Sequence, residues 1–217
     1  MSSSKKDVLL VHHFGKDGMG DSRKRIIGDG PDEVEISTVR SSKPASLTPP
    51  TEQWTPRAAA AAEQQRRRAV HRLGLIDSGN EERFDRITRK ARDYFDVSSA
   101  ALSLITDDQQ YLKSFVGPLH RVLDRSIAFC NVTIQHEEPL IISDTLSDSR
   151  FSANSLVVAA PFIRFYAGVP VRGPGGWFVG SFCILDHASR DFSHEDRQEL
   201  LALANEAEME LNTHLQL

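Results

Sequence analysis

Past residue 57 the chain carries two hydrophobic periods, one near 3.6 residues and one of two, and they change over near Val97. Residues 58–73 are rich in alanine, glutamate, glutamine and arginine and reach Gly74 without a glycine or proline, which predicts a helix. Ser78 and Glu81 have the spacing of a capping box, and Phe84, Ile87, Ala91 and Tyr94 recur every three to four residues. A second helix with one apolar face is expected there. From Val97 the period falls to two. Ala100, Leu102 and Leu104 alternate with Ala101, Ser103 and Ile105, Asp107-Asp108 offers a turn, and residues 111–116 return as a second strand. Residues 125–136 read as a short helix with Ile127, Cys130 and Ile134 inward, residues 140–143 as a short strand, and residues 144–161 as a long irregular segment. Two further strands, 162–172 and 177–186, are joined by Gly173-Pro174-Gly175-Gly176. Ser193 caps a last helix in which Leu200, Leu203, Ala207 and Leu211 share a face. Adjacent hairpins with helices at both ends predict an α+β fold built on an antiparallel sheet.

The first 57 residues have a different texture. Residues 41–57 are thick with Pro, Ser and Thr and nearly empty of large apolar side chains, which predicts an extended linker behind a disordered tail. Residues 7–14 have strand character, and Gly15, Gly18 and Gly20 follow. A phosphate-cradling loop needs a helix after it, whereas charged residues and then Gly28, Gly30 and Pro31 come next. The domain division expected is therefore a tail and linker over 1–57 and one folded domain over 58–217.

Composition narrows the function classes. With 26 basic and 30 acidic residues the net charge is -4, so no general field draws in nucleic acid or an anionic membrane. No apolar run reaches membrane length and the N-terminal one is too short for a secretion signal, so a cytoplasmic protein is expected. Two cysteines, Cys130 and Cys183, are too few for a disulfide scaffold or a cysteine zinc site, and in a reducing compartment both are free thiols. The eight histidines include no pair at metal spacing with a third ligand, so no metal is expected. The basic run Arg66-Arg67-Arg68 reads as a solvated helix face.

Several ordered words resemble one family. Leu73-Gly-Leu-Ile-Asp77, Glu82 to Ile87, Arg125-Ser-Ile-Ala-Phe-Cys130, Asp144 through Asp148-Ser-Arg-Phe151 to Asn154, Ile163 to Gly168 and Gly180-Ser-Phe-Cys-Ile-Leu-Asp186 together are similar to bacterial-type sensory GAF domains, over roughly residues 66–215. The resemblance implies a central antiparallel sheet with helices packed on one face and a small-molecule pocket on the other. It implies a regulatory module and not an enzyme, with the signal leaving through a protein partner in trans or a homodimer, because no output domain follows in this sequence. The terminal helices pair subunits in such families, and Val70, Leu73, Leu200, Leu203, Leu211, Leu215 and Leu217 would supply the apolar contacts. Bilin-carrying relatives attach chromophore through a Cys followed by His; here Asn131 follows Cys130 and Ile184 follows Cys183, so a covalent chromophore is not expected. No cofactor and no ligand is named by the sequence.

The candidate ligand-binding residues are Phe129, Cys130, Asp144, Arg150, Phe151, Arg164, Tyr166 and Cys183. The two thiols fall on elements that border the pocket in the family. They read either as an oxidant- or ligand-sensing pair or as small buried hydrophobes. Asp144, Asp148, Arg150 and Asn154 lie in the long irregular segment, where they form either a polar wall or the hydrogen bonds that hold a loop down. Arg164 and Tyr166 share one face of their strand, opposite Phe165 and Ala167. The enzymatic alternative within the same fold is a thiol-dependent free methionine sulfoxide reductase using Cys130.

Overall fold

The structure is a computed structural model that describes residues 55–213. The strand-like residues 7–14, the glycine-rich stretch, the linker up to residue 54, and Leu215 and Leu217 lie outside the described residues.

Helix α1 (Pro56–Arg72) starts two residues before the expected position. Pro56 suits a first helical position, having no amide proton to lose, and Thr55 caps the helix by accepting from Ala58 N at 3.3 Å. Helix α2 (Glu82–Phe95) buries Phe84, Ile87, Thr88, Ala91 and Phe95. Tyr94, expected on that face, is 55% exposed. Phe95 follows Ala91 at i+4, so the apolar stripe passes to Phe95, and Tyr94 packs edge-on against that ring with centroids 4.9 Å apart.

Six strands form one antiparallel sheet: β1 (Ser99–Ile105), β2 (Gln109–Val116), β3 (Val122–Asp124), β4 (Leu140–Ile142), β5 (Phe165–Arg172) and β6 (Phe178–Asp186). Their spatial order is β3-β2-β1-β6-β5-β4, which puts β1 and β6 at the centre, bonded on both edges. Strand β3 was not expected. Three residues with an exposed Val122 and Asp124 carry no readable alternation, and only pairing with Gln109, Gln110 and Tyr111 makes them a strand. Between β3 and β4 the expected 12-residue helix is a 3₁₀ turn (Arg125–Ile127) and a short α3 (Phe129–Thr133). Ala128 is extended between them, so the helix breaks there. The irregular segment contains one helical turn, α4 (Ser155–Val158), which Asn154 caps by accepting from Leu156 N at 2.9 Å. Helix α5 (His194–Asn212) has a full capping box between Ser193 and Asp196.

One face of the sheet, through Ala100, Leu102, Leu104, Phe165, Ala167, Phe182 and Ile184, packs on α1, α2 and α5. Leu200, Leu203 and Leu211 are all buried in this layer, as is Val70 of α1. The leucines expected to serve both the sheet and a second subunit are taken up by the sheet. The other face carries a separate cluster built from Ala101, Ile105, Leu112, Tyr166, Cys183 and Leu185 under α3 and the 151–163 segment.

Two expected features fall differently. Ser78 and Glu81 do not form a capping box: Glu81 itself is the N-cap of α2 and makes no side-chain cap bond. Both turn instead to Lys113 of β2, whose ammonium reaches Ser78 Oγ (2.6 Å), Gly79 O (2.7 Å) and Glu81 Oε1 (2.6 Å). Arg66 is not on a solvated face but 6% exposed, donating to Ile105 O at 2.6 Å and to the Glu63 carboxylate one turn earlier.

Candidate functional site

The site is built around Cys183, at the middle of β6 on the face opposite the long helices. Its neighbours across the sheet are Ala101 of β1 and Gly168 of β5, two of the smallest side chains available. The bareness of Gly168 is used. A Cβ there would stand 2.2 Å from the Tyr166 phenol oxygen, so only glycine lets that ring lie back along its own strand. Lying so, the Tyr166 hydroxyl sits 2.7 Å from Thr133 Oγ1 and donates toward Cys130 Sγ at 3.6 Å, both on α3. Phe129 stacks between Phe151 (4.7 Å) and Tyr166 (5.0 Å) and fixes the short helix from its other side.

This packing brings Cys130 Sγ to 3.8 Å from Cys183 Sγ. Both thiols are free and buried. They share a proton unevenly. The hydrogen bond from Cys183 outweighs burial and, with the hydroxyls of Ser103, Ser181 and Tyr166, holds Cys130 below the ordinary thiol range. The same hydrogen bond, together with burial and the charge of Cys130, pushes Cys183 well above it. Burial and the two neighbouring sulfurs likewise keep the Tyr166 phenol protonated. The shifts run in opposite directions, Cys130 toward the thiolate and Cys183 toward the thiol, the asymmetry a dithiol uses for attack and resolution.

Beside the thiols is a cavity of about 40 Å³, walled by Leu112, Leu119, Leu123, Leu156, Ile163, Leu185 and the amide of Gln110, and reaching the exposed residues Pro118 and His120. By volume it holds about three waters. Among the described residues no Asp, Glu, Lys or Arg lines it.

Of the eight candidate residues, Phe129, Cys130, Tyr166 and Cys183 meet at this cavity. Phe151 is one layer behind, stacked on Phe129. Asp144, Arg150 and Arg164 do not reach it. Asp144 accepts from Leu146 N and Ser147 Oγ, each at 3.0 Å, and Arg150 pairs with Asp148 at 2.6 Å with half its side chain in solvent. Arg164 donates to Val157 O at 2.9 Å and so fastens α4. Their backbone and ion-pair contacts are those of a segment held down on the sheet. Gln110, Leu119, Leu123 and Leu156 went unnoticed in the sequence. Gln110 alone left a signal, as a polar residue adjoining an apolar strand.

The site is tied to α1 through Arg125. Its guanidinium donates to Asn131 Oδ1 (2.7 Å) of α3, to Thr106 O (3.0 Å) in the β1–β2 turn and to Glu63 Oε1 (2.7 Å) of α1. Partial burial pushes the Glu63 carboxyl up, but the hydrogen bonds and charges of Arg66 and Arg125 overcome this and hold it at about 2. A carboxyl lowered on folding contributes stability above its ordinary value of 4.5 and loses it as the pH falls toward 2. With the side chain 36% exposed, screening leaves about 1 kcal/mol. The urea midpoint should therefore fall more between about pH 5 and pH 3 for the wild type than for Glu63→Gln. Parallel curves would remove the clamp as an acid-sensitive contact.

Comparison with known proteins agrees with this architecture. A cyclic di-GMP phosphodiesterase of Pseudomonas aeruginosa is 33% identical over 121 residues, which is 56% of this chain and 21% of that protein. The chain thus spans about a fifth of that relative. Among solved structures, the blue-light absorbing form of the Thermosynechococcus elongatus PixJ GAF domain aligns with a TM-score of 0.51 at 12% identity, covering 71% of this chain and 89% of that one. The free methionine-R-sulfoxide reductase of Neisseria meningitidis aligns with a TM-score of 0.49 at 16% identity, covering 71% and 93%. At 12% identity the likeness to the PixJ domain is one of fold. Among the described residues no helix is long and apolar enough to cross a membrane. The GAF domain family model matches residues 80–211, more than half of the chain, and with the six-stranded antiparallel sheet between its two cores this chain belongs to the GAF domain family.

Proposed function

We propose that this GAF domain is a regulatory sensory module whose input is the redox state of the Cys130–Cys183 pair. The observation that carries the reading is the 3.8 Å approach of two free thiols beside a cavity that reaches the surface. Forming a disulfide shortens that gap to about 2.0 Å. A cytoplasmic setting keeps the pair reduced at rest, so that oxidation is an event and not a permanent state. The output leaves through a homodimer or a signalling partner that reads the exposed faces of α1 and α5.

A cavity of about 40 Å³ fits this reading better than one in which a large organic ligand is the resting input. It also disfavours the enzymatic alternative. Methionine sulfoxide is a zwitterion of ten heavy atoms, and no charged side chain among Asp, Glu, Lys and Arg lines the walls to pair with its carboxylate or ammonium. Incubation with free methionine sulfoxide and dithiothreitol should yield no methionine above the protein-free control. Turnover abolished by Cys130→Ser would make the domain an enzyme.

The direct test is equilibration with excess oxidised dithiothreitol, followed by alkylation and peptide mass spectrometry. The expected product is a peptide linked through Cys130 and Cys183, absent from Cys130→Ser and Cys183→Ser. Two alkylated thiols at equilibrium would overturn the reading.

A further inference from the structure

Gln110 has no part in the fold that accounts for it. Its residue is 5% exposed on β2, it lines the same cavity as the two thiols, and its Oε1 is buried without a hydrogen-bond partner. Such an acceptor costs stability, and a leucine or methionine of similar size would fill the position without that cost. Apart from the two thiols the other walls are apolar except for His120 at the exposed mouth and Tyr166, already engaged with Thr133 and Cys130. Deep in the cavity, away from His120 at its mouth, the wall thus holds one buried acceptor without a partner beside a sulfur held below the ordinary thiol range, around a space of about 40 Å³.

We infer that the cavity is a binding site for hydrogen peroxide, with Gln110 Oε1 accepting a hydrogen bond from the peroxide and Cys130 as the sulfur it oxidises. The inference rests on the dithiol reading given above and names its oxidant. Three properties of the site select this class. The volume takes a two-oxygen molecule and excludes hydroperoxides with bulky substituents. A neutral oxidant needs no counter-charge from the walls. The ligand must also donate a hydrogen bond, which peroxide does and apolar oxidants such as dioxygen do not.

The chemistry balances without a further reagent. The Cys130 thiolate attacks one peroxide oxygen, the O–O bond breaks, and hydroxide leaves and takes up the proton that Cys130 released. Cys183 sulfur then attacks the sulfur of the Cys130 sulfenic acid, its thiol proton leaves with the hydroxyl as water, and a disulfide forms. Two thiols lose two electrons in all, and one peroxide becomes two waters. Gln110 is a positioning residue in this scheme. It holds the oxidant and does not itself exchange a proton.

The test follows disulfide formation in the full chain by quenched alkylation, with hydrogen peroxide and with cumene hydroperoxide, each rate divided by that of free cysteine. The wild type should favour hydrogen peroxide at least about tenfold, and Gln110→Met should slow the hydrogen peroxide reaction about tenfold, as loss of one hydrogen bond in the reacting complex does. The same variant should melt a few degrees higher, because an unpaired buried acceptor has gone. A merely structural glutamine predicts the opposite shift, a lower melting temperature with an unchanged normalised rate, and that result overturns the inference. Should Gln110→Met fail to fold, the wild-type selectivity decides alone: equal normalised rates for the two peroxides reject the site. If oxidised dithiothreitol links Cys130 to Cys183 but peroxide shows no preference, the switch stands and the peroxide site falls. If neither reagent links them, the dithiol reading falls first.

Discussion

Gly180→Ala is expected to lower the stability of the domain by about 3 kcal/mol or more, larger than most single methyl additions to a protein core. Gly180 is on β6, paired to Leu104 of β1 on one side and Val171 of β5 on the other, in the interior of the sheet. A Cβ added there would stand 1.7 Å from Ser103 O and 2.7 Å from Ser103 C. Those are backbone atoms of the neighbouring central strand. A crowded side chain relieves such a clash by rotating, but a strand can relieve it only by parting from its partner and giving up ladder hydrogen bonds on a buried face. Gly176→Ala is the control. Its φ of 77° strains any residue with a Cβ, yet no atom lies within 4 Å, so it should cost only about 1 kcal/mol. Urea unfolding of the two variants measures both. A Gly180→Ala loss no greater than that of Gly176→Ala would show that β1 and β6 separate more easily than their pairing implies.

Lys113→Met should cost about 2 to 3 kcal/mol, despite keeping nearly the same volume. The lysine side chain is fully buried, and its ammonium meets three oxygens of the 78–81 segment with the Phe84 ring 5.6 Å away. Methionine fills the shaft and leaves Ser78 Oγ and Gly79 O short of a donor. The cost stays below that of a fully buried broken pair because Glu81 is partly exposed and retains Arg83 at 2.8 Å. The loss should be visible as a lower urea midpoint with protection from hydrogen exchange reduced first around residues 78–81. An unchanged midpoint would mean that the segment is held by its backbone alone.

Lys113 also marks the limit of what the sequence made legible. The apolar runs at residues 100–105 and 111–116 and the spacing of Leu200, Leu203, Ala207 and Leu211 make the sheet and the last helix legible, the helix because it buries one face and β1 because it is buried on both. Ser78 and Glu81 carried an equally clear pattern with another meaning. A capping box needs two side chains free to turn on their own backbone, and the ammonium from β2 claims both. Arg66 departs from the sequence pattern for the same reason, since the Ile105 and Thr106 carbonyls at the end of β1 and in the turn after it approach it only in three dimensions. At the cavity the legible residues were those with distinctive chemistry, Cys130, Cys183 and Tyr166. Asp144, Arg150 and Arg164 had the same polar character, but nothing in local spacing tells a side chain that faces a cavity from one that fastens a loop.

The Arg125 clamp gives the sulfur pair a direction. Cys183 is mounted on an anvil, a central strand bonded along both edges. Cys130 is mounted on a five-residue helix held mainly by ring stacking and by one guanidinium. If oxidation closes the gap between the sulfurs as proposed, the short helix would travel and the strand bonded along both edges would stay. Asn131, next in the chain to Cys130, then draws on the Arg125 guanidinium that also grips Glu63. On the dithiol reading α3 would act as a lever between the sulfur and α1, and the displacement of under 2 Å implied by S–S bond formation would pass through Arg125, beside the β1–β2 turn, to the helix on the far face.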